Sequence, residues 1–240
     1  MDTRLILDMH RQPDETSCGP TCLHAVYRYF GADMELDRII GEIEPIEGGG
    51  TLAVLLAGHA LRRGFGATIH TYNLQLFDPT WFDGTNVDLQ DRLVRQAAEK
   101  EDARLRMATE AYIDYLELGG KIDLQDLTPE LLRSHLERDR PILTGLSATY
   151  LYRCARERGW DTLEYDDVRG YPTGHFVVVS GYDAARDEVH VADPLQDNPR
   201  YGSHYYKVGM QRLLGAILLG VLTYDANVLV LEPPVGDPSE

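Results

Sequence analysis

The stretch Gln12–Cys22 reads QPDETSCGPTC and leads into a helical pattern that runs from Cys18 to Phe30. Pro20 suits the first turn of a helix, where the missing N–H of proline costs nothing. The spacing therefore predicts that Cys18 lies at the helix N-terminus, where the helix dipole favours a thiolate. A cysteine placed in this way becomes a nucleophile when an imidazole reaches it.

A histidine and an aspartate far downstream can supply the partners of this thiol. His175 opens the apolar run GHFVVV, and Asp193 follows it by eighteen residues. Segment Gly181–Asp187 predicts a hairpin turn between strands His175–Tyr182 and Glu188–Ala192. The hairpin would bring His175 and Asp193 to the same end, where the carboxylate can orient the imidazole.

Gln12, six residues before Cys18, offers an amide that could stand beside the thiol. With the backbone N–H of Cys18 it would hold the oxyanion of a tetrahedral intermediate. A nucleophile, a base, an orienting carboxylate and an oxyanion donor are the four parts that acyl transfer requires. Cys22, one helical turn after Cys18, is predicted to pack rather than to react.

The composition is that of an ordinary globular protein. Of 240 residues, 43% are apolar and 26% are charged, and the net charge is −16. An acidic surface argues against nucleic acid and against anionic membranes as partners. The most apolar stretch, Leu213–Leu222, is too short to span a bilayer. Three cysteines do not indicate a disulfide framework, so a cytoplasmic protein with reduced thiols is expected, without a metal or an organic cofactor.

Helical patterns dominate the first part of the chain and strand patterns the last, which predicts an α+β fold with N-terminal helices packed on a C-terminal antiparallel sheet. One domain is expected over residues 1–232, followed by a flexible tail over 233–240. Further helices are predicted over Glu35–Ile43, from an N-cap at Thr51 to Arg63, over Asp88–Glu101, over Leu105–Leu118, from Thr128 to near Asp139, and over Met210–Gly220. Further strands are predicted over Ala67–Tyr72, Pro141–Leu146 and Asn227–Leu231.

Three blocks of the sequence resemble the papain-like cysteine peptidases that process double-glycine leader peptides, the bacteriocin-processing family. The blocks are Gln12 and Asp14 with Cys18-Gly19-Pro20, then Gly174-His175-Phe176-Val177-Val178, then Ala192-Asp193-Pro194. The resemblance implies a papain-like fold with Cys18 as nucleophile, His175 as base, Asp193 as orienting residue and Gln12 as oxyanion donor. It covers about residues 5–64 and 140–232, so residues 74–127 are expected to form a helical insertion, and whether they cap the cleft stays open.

The chain resembles a stand-alone member of that family, without transporter domains, and such relatives point to an ATP-grasp peptide ligase as a partner. The expected activity is cleavage of a peptide or amide through a Cys18 acyl-enzyme. Transfer of the same acyl group to an amine, and peptide binding without catalysis, remain alternatives. Gly174, Tyr150 and Tyr152 are predicted to contact the substrate.

Overall fold

The computed structural model describes residues 2–46, 49–84, 87–159 and 164–234, so most of the predicted tail, residues 235–240, lies outside the described residues. Short strands and helices alternate along the chain. In chain order they are β1 (Asp2–Arg4), α1 (Cys18–Tyr29), α2 (Leu36–Glu42), α3 (Ala53–Arg62), β2 (Gly66–Thr71), α4 (Leu89–Glu99), α5 (Ala103–Glu117), β3 (Lys121–Asp123), α6 (Pro129–Leu136), β4 (Ile142–Ser147), α7 (Ala148–Tyr152), β5 (Glu157–Arg158), β6 (Glu164–Tyr165), β7 (Gly174–Asp183), β8 (Glu188–Ala192), β9 (Tyr205–Gly209), α8 (Met210–Leu219) and β10 (Asn227–Glu232).

One eight-stranded sheet organises these elements. Its order is β3-β2-β10-β4-β7-β8-β9, and β1 pairs with the far end of β7. Every pairing is antiparallel except that of β2 with β3. The predicted α+β class with an antiparallel sheet is therefore confirmed, and β7 and β8 form the predicted hairpin.

Helices cover both faces of the sheet, because the strands are apolar on both sides. Alternate side chains of β7 point to opposite faces. Phe176 and Val178 belong to the core that α1, α2, α3 and α5 share. Val177 and Val179 belong to a second core with α6, α7 and α8. The sequence predicted the first of these layers but not the second.

Glycine is required where β1 crosses the end of β7. A Cβ atom at Gly181 would lie 2.2 Å from the carbonyl oxygen of Thr3. The ladder between β7 and β8 also shifts register between Val179 and Gly181. A bulge of this kind bends a strand and locally interrupts regular pairing. It leaves the start of β7, which carries His175, in regular pairing with β4.

The predicted N-cap of α3 is wrong. The helix begins one residue later than expected, and Leu52 rather than Thr51 occupies the cap position without a side-chain bond. The backbone N–H of Ala53 instead donates to the Asp225 carboxylate at 3.0 Å. A cap supplied from so far along the chain leaves no local sequence signal.

The predicted insertion, residues 74–127, joins the main body of the protein. It holds α4, α5 and β3, and β3 extends the sheet by pairing parallel with β2. Leu93, Tyr112 and Tyr115 are buried in the same core as α1. Three strands separate β3 from β7 in the sheet. The segment therefore packs beside α3 at the β3 edge of the sheet, away from His175, and its status as an insertion stays a prediction.

Candidate active site

Cys18 is the first residue of α1, and its position follows from the motif around it. Ser17 occupies the N-cap position, and the first turn contains no acidic side chain that would offset the positive potential of the helix N-terminus. The residue is 8% exposed. Gly19 leaves no space beside it, since a Cβ atom there would lie 2.5 Å from Thr51 Cγ2. Thr51 thus lies directly against the first turn of α1.

His175 lies between a carboxylate and this thiol. Its Nε2 is 2.8 Å from Asp193 Oδ1, although the two residues are eighteen positions apart. Because Nε2 is bonded to the carboxylate, Nδ1 is the ring nitrogen left for Cys18, and Cys18 is near enough to contribute to the raised pKa of this imidazole. The hairpin of β7 and β8 brings the two polar groups together, as the sequence predicts.

Asp193 is completely buried and accepts four hydrogen bonds. Oδ1 accepts from His175 and, at 2.9 Å, from the backbone N–H of Leu195. Oδ2 accepts from the hydroxyls of Tyr152 and Tyr206, each at 2.7 Å. A buried carboxylate is tolerated when it is paired and its lone pairs are satisfied. Asp193 meets both conditions, so its geometry is fixed before any ligand binds.

The charges of His175 and Asp193 stabilise one another. Burial alone would lower the pKa of His175, but the charge and hydrogen bond of Asp193, with Cys18, raise it to about 10. Burial acts to raise the pKa of Asp193, but the charge and hydrogen bond of His175 and the two tyrosine hydroxyls lower it below its usual value. Both shifts favour an imidazolium at His175 beside a carboxylate at Asp193.

Gln12 is tied to the same site through its backbone. Its N–H donates to the carbonyl oxygen of Pro194, next to Asp193, at 3.1 Å. Its side-chain Nε2 donates to the carbonyl oxygen of Asp14 at 2.8 Å, and its Oε1 is buried without a hydrogen-bond partner among the described residues. The amide nitrogen carries two hydrogens. One holds the side chain in place, and the other can serve an oxyanion.

Comparison with known proteins identifies the family of this chain. A family model described as the Peptidase_C39 like family matches residues 5–213. The chain belongs to this family. No match was found among curated proteins.

Two solved structures are similar to the chain over nearly its whole length. One, a C39-like peptidase from Bacillus anthracis, has 14% sequence identity and a TM-score of 0.51, with 98% of this chain and 100% of that chain covered. The other is a double-glycine motif protease from an AMS/PCAT transporter, solved with its leader peptide, at 12% identity and a TM-score of 0.45 over 97% and 99% of the two chains. The first likeness shows a shared fold. Family and fold together support a cysteine peptidase function in general terms.

The two other cysteines have different surroundings from Cys18. Cys22 is fully buried, and its thiol donates to the Phe176 carbonyl oxygen at 3.3 Å, which joins α1 to β7. Burial and the charges of Cys18 and Asp193 raise the pKa of Cys22 well above its ordinary value. Cys154 is partly exposed. Burial and the charge of Glu157 raise its pKa as well. Both thiols favour the protonated form.

The three predicted substrate-binding residues lie in different surroundings. Gly174 precedes His175 on β7, and a Cβ atom there would lie 2.6 Å from Thr223 Oγ1. Tyr150 is exposed on α7 beneath the guanidinium of Arg212. Tyr152 is buried, and its ring lies 6.1 Å from that of His175. Substrate binding by these residues stays a prediction, and the contacts of Tyr152 favour a role in holding Asp193.

Sequence reasoning missed Tyr206, the second hydroxyl on Asp193. It lies on β9, a strand that was not predicted, and the pairing of β8 with β9 places it there. The loop before β9 is fixed by Asn198, whose Nδ2 donates to the carbonyl oxygens of Leu195 and Ser203. A strand prediction over residues 205–209 would have been the only sequence signal for this contact.

Nothing in the described residues indicates a metal centre or a membrane span. Across residues 2–234, apart from the undescribed gaps, no three His, Cys, Asp or Glu side chains are grouped so that they could share a metal ion. In the same part of the chain, every helix is too short or too polar to traverse a lipid bilayer.

Proposed function

We propose that this member of the C39-like family cleaves a peptide or amide bond through a Cys18 acyl-enzyme. The observation that supports the proposal is the His175 ring held by Asp193 on Nε2, together with the effect of Cys18, the first residue of α1, on the pKa of that ring. The substrate is a peptide or another amide. The cytoplasmic location, the stand-alone state and an ATP-grasp ligase partner stay predictions.

Acylation begins with a proton shared between the thiol and the imidazole. Cys18 Sγ attacks the carbonyl carbon as a thiolate, while His175 holds the proton on Nδ1. The carbonyl oxygen becomes an oxyanion, which the Gln12 amide and the backbone N–H of Cys18 would stabilise. When the C–N bond breaks, the proton passes from Nδ1 to the leaving amine. A thioester on Cys18 and a free amine result.

In deacylation, a water molecule attacks the thioester and His175 acts as the base that activates it. His175 removes a proton from water, and the hydroxide adds to the thioester carbon through the same oxyanion site. The C–S bond then breaks, the carboxylic acid leaves and the proton returns to Cys18. Throughout, the Asp193 carboxylate keeps the Nε2–H pointed away from the thiol, so that Nδ1 remains the reacting nitrogen.

The first experiment measures the rate at which iodoacetamide alkylates Cys18 between pH 5 and 9, with the labelled cysteine located by mass spectrometry. We expect fast labelling down to pH 5 in the wild type and loss of that labelling in His175→Ala. Cys154→Ser is the matched control, because it removes a partly exposed thiol outside the pair. An ordinary thiol profile in the wild type would contradict the mechanism and favour the non-catalytic binding module.

The second experiment tests turnover with a peptide library analysed by mass spectrometry. Cys18→Ala should abolish cleavage while circular dichroism shows an intact fold. Gln12→Ala should retain labelling but lower kcat by about 10²–10³-fold, the usual effect of losing one oxyanion donor. Hydrolysis that persists at the wild-type rate in Cys18→Ala would refute the proposed nucleophile.

A further inference from the structure

A short ribbon formed by β5 and β6 lies beside the segment that leads into His175. Glu157 on β5 exchanges two backbone hydrogen bonds with Tyr171, at 3.0 and 2.8 Å. Its Oε2 accepts a hydrogen bond from Thr173 Oγ1 at 2.6 Å. Thr173 stands two residues before His175 in the chain. The Glu157 carboxylate is therefore attached to the segment that positions the general base.

An aromatic ring lies on the same side of the ribbon as this carboxylate. Tyr165 is the direct cross-strand partner of Glu157 in the antiparallel pair. Directly opposed residues share a face, with their Cβ atoms about 4.5–5.5 Å apart. The Tyr165 side chain is prominent on the surface, with 49% of its area exposed. A carboxylate beside an exposed phenol is a combination that attracts cations.

The Glu157 carboxylate forms no salt bridge with a lysine or arginine in the part of the chain that the structure describes. The neighbouring arginines are engaged elsewhere: Arg156 donates to the carbonyl oxygens of Asp167 and Val168, and Arg169 pairs with Asp166. Burial and the nearby Glu15 raise the pKa of Glu157, although the Thr173 hydroxyl and His175 oppose this. A carboxylate in this state gains stability from any cation brought beside it.

Glu15 adds a second negative charge to the surroundings of Glu157. It precedes Cys18 by three residues, whereas Glu157 is bonded to the segment before His175. The two carboxylates lie close enough for the charge of Glu15 to act on both Glu157 and Tyr165. Charges from the loop before Cys18 and from the ribbon beside Thr173 therefore act on one another.

We propose that Glu157 and Tyr165 form a subsite that binds a positively charged side chain of the substrate, lysine or arginine, next to the scissile bond. Thr173 orients the carboxylate, Tyr165 supplies the aromatic wall, and Glu15 adds to the negative potential. The inference rests on the proposed function, because it assigns a substrate class to that same site. Glu157 acts as a specificity determinant and takes no part in proton transfer.

The first test does not depend on hydrolysis. Site-resolved mass spectrometry follows the modification of Cys18 by uncharged methyl methanethiosulfonate and by its cationic trimethylammonioethyl analogue. Relative to free cysteine, we expect the cationic reagent to be favoured by about tenfold, as for attraction by a nearby opposite charge. Glu157→Gln should remove most of that preference.

Glu164→Gln is the matched control, because it makes the same charge change at an exposed neighbour on the opposite face of the ribbon. A net charge of −16 attracts every cation to some degree. The subsite is supported only if the preference for the cationic reagent falls in Glu157→Gln and does not fall in Glu164→Gln. A cationic preference that equals that of free cysteine, or that falls equally in both variants, would overturn the proposal.

The second test compares kcat/KM for peptides that carry arginine, lysine, glutamine or norleucine at each position around the cleaved bond. One position should favour the basic residues in the wild type and lose about tenfold of that preference in Glu157→Gln. The readout is the ratio of kcat/KM for basic to neutral peptides, because Glu157→Gln also alters the hydrogen bond with Thr173 and can change the rate for every peptide. Cleavage without any basic preference would overturn the subsite and leave the peptidase. A cationic reagent preference without any cleavage would support the subsite and refute the peptidase.

Discussion

Removal of the tyrosine hydroxyls that hold Asp193 should destabilise the protein without disturbing its packing. Tyr206→Phe and Tyr152→Phe each delete one donor to Oδ2 and keep the aromatic ring. The carboxylate is completely buried. The space left by one hydroxyl is too small for a water molecule to replace it. In each variant, Oδ2 of the ionised Asp193 therefore accepts one hydrogen bond fewer than in the wild type.

The magnitude follows from the charge of the acceptor. A hydrogen bond to an ionised group contributes about 1.5–3 kcal/mol, so each single variant should lose about 2 kcal/mol of unfolding free energy. The double variant leaves Oδ2 without any donor. Because a buried oxygen without a partner carries the full desolvation penalty, its loss should exceed the sum of the single losses by about 1 kcal/mol.

Urea unfolding at pH 7, followed by circular dichroism, measures these differences. Tyr201→Phe is the matched control, since its ring stacks on Tyr206 at 3.9 Å and its hydroxyl makes no hydrogen bond to any residue that the structure describes. That variant should change the unfolding free energy by less than about 0.5 kcal/mol. If Tyr206→Phe costs no more than Tyr201→Phe, the hydroxyl does not hold a buried charge and the reasoning fails.

Three further predictions concern stability, each measured by urea unfolding. Gly19→Ala places a methyl group against Thr51 Cγ2 and should cost about 1–3 kcal/mol, and Thr51→Ser should restore part of the loss. Burial and His70 lower the pKa of His135 to about 4. The free energy of unfolding should therefore fall by up to about 3 kcal/mol as the pH is lowered from about 6.5 towards 4. The fall should be smaller in His135→Gln. Burial raises the pKa of Asp225 to about 7. This group therefore stabilises the folded state most at low pH and loses that contribution as the pH rises through about 7. Asp225→Asn should remove this dependence of the unfolding free energy on pH.

The parts of the fold that sequence predicted well are those whose signal is local. The α1 pattern ends at Tyr29, one residue before the predicted end, because Gly31 adopts a positive φ of 78° that terminates the helix. The β7–β8 hairpin is short-range, and alternation of apolar residues with a turn was enough to identify it. The placement of His175 beside Asp193 follows directly from that hairpin.

Contacts between short elements that lie far apart in the chain could not be predicted from local sequence patterns. The strands β3, β5 and β6 contain two or three residues each, which is too few to show a period. The Asp225 carboxylate meets the start of α3 across 172 residues. No propensity or spacing rule identifies that cap, because the pairing of β10 with its neighbours decides it.

Glu157 shows why the chemistry of a site can be predicted before its specificity. In the sequence it is one of 39 acidic residues, with charged neighbours on both sides. Its importance depends on three separate placements: a bond to Thr173, pairing with Tyr165 and proximity to Glu15. The nucleophile and base must lie at a helix start and a strand start, so they leave motifs. A subsite only needs side chains that converge, and strand register alone sets that convergence. Substrate preference is thus the property for which the structure adds most.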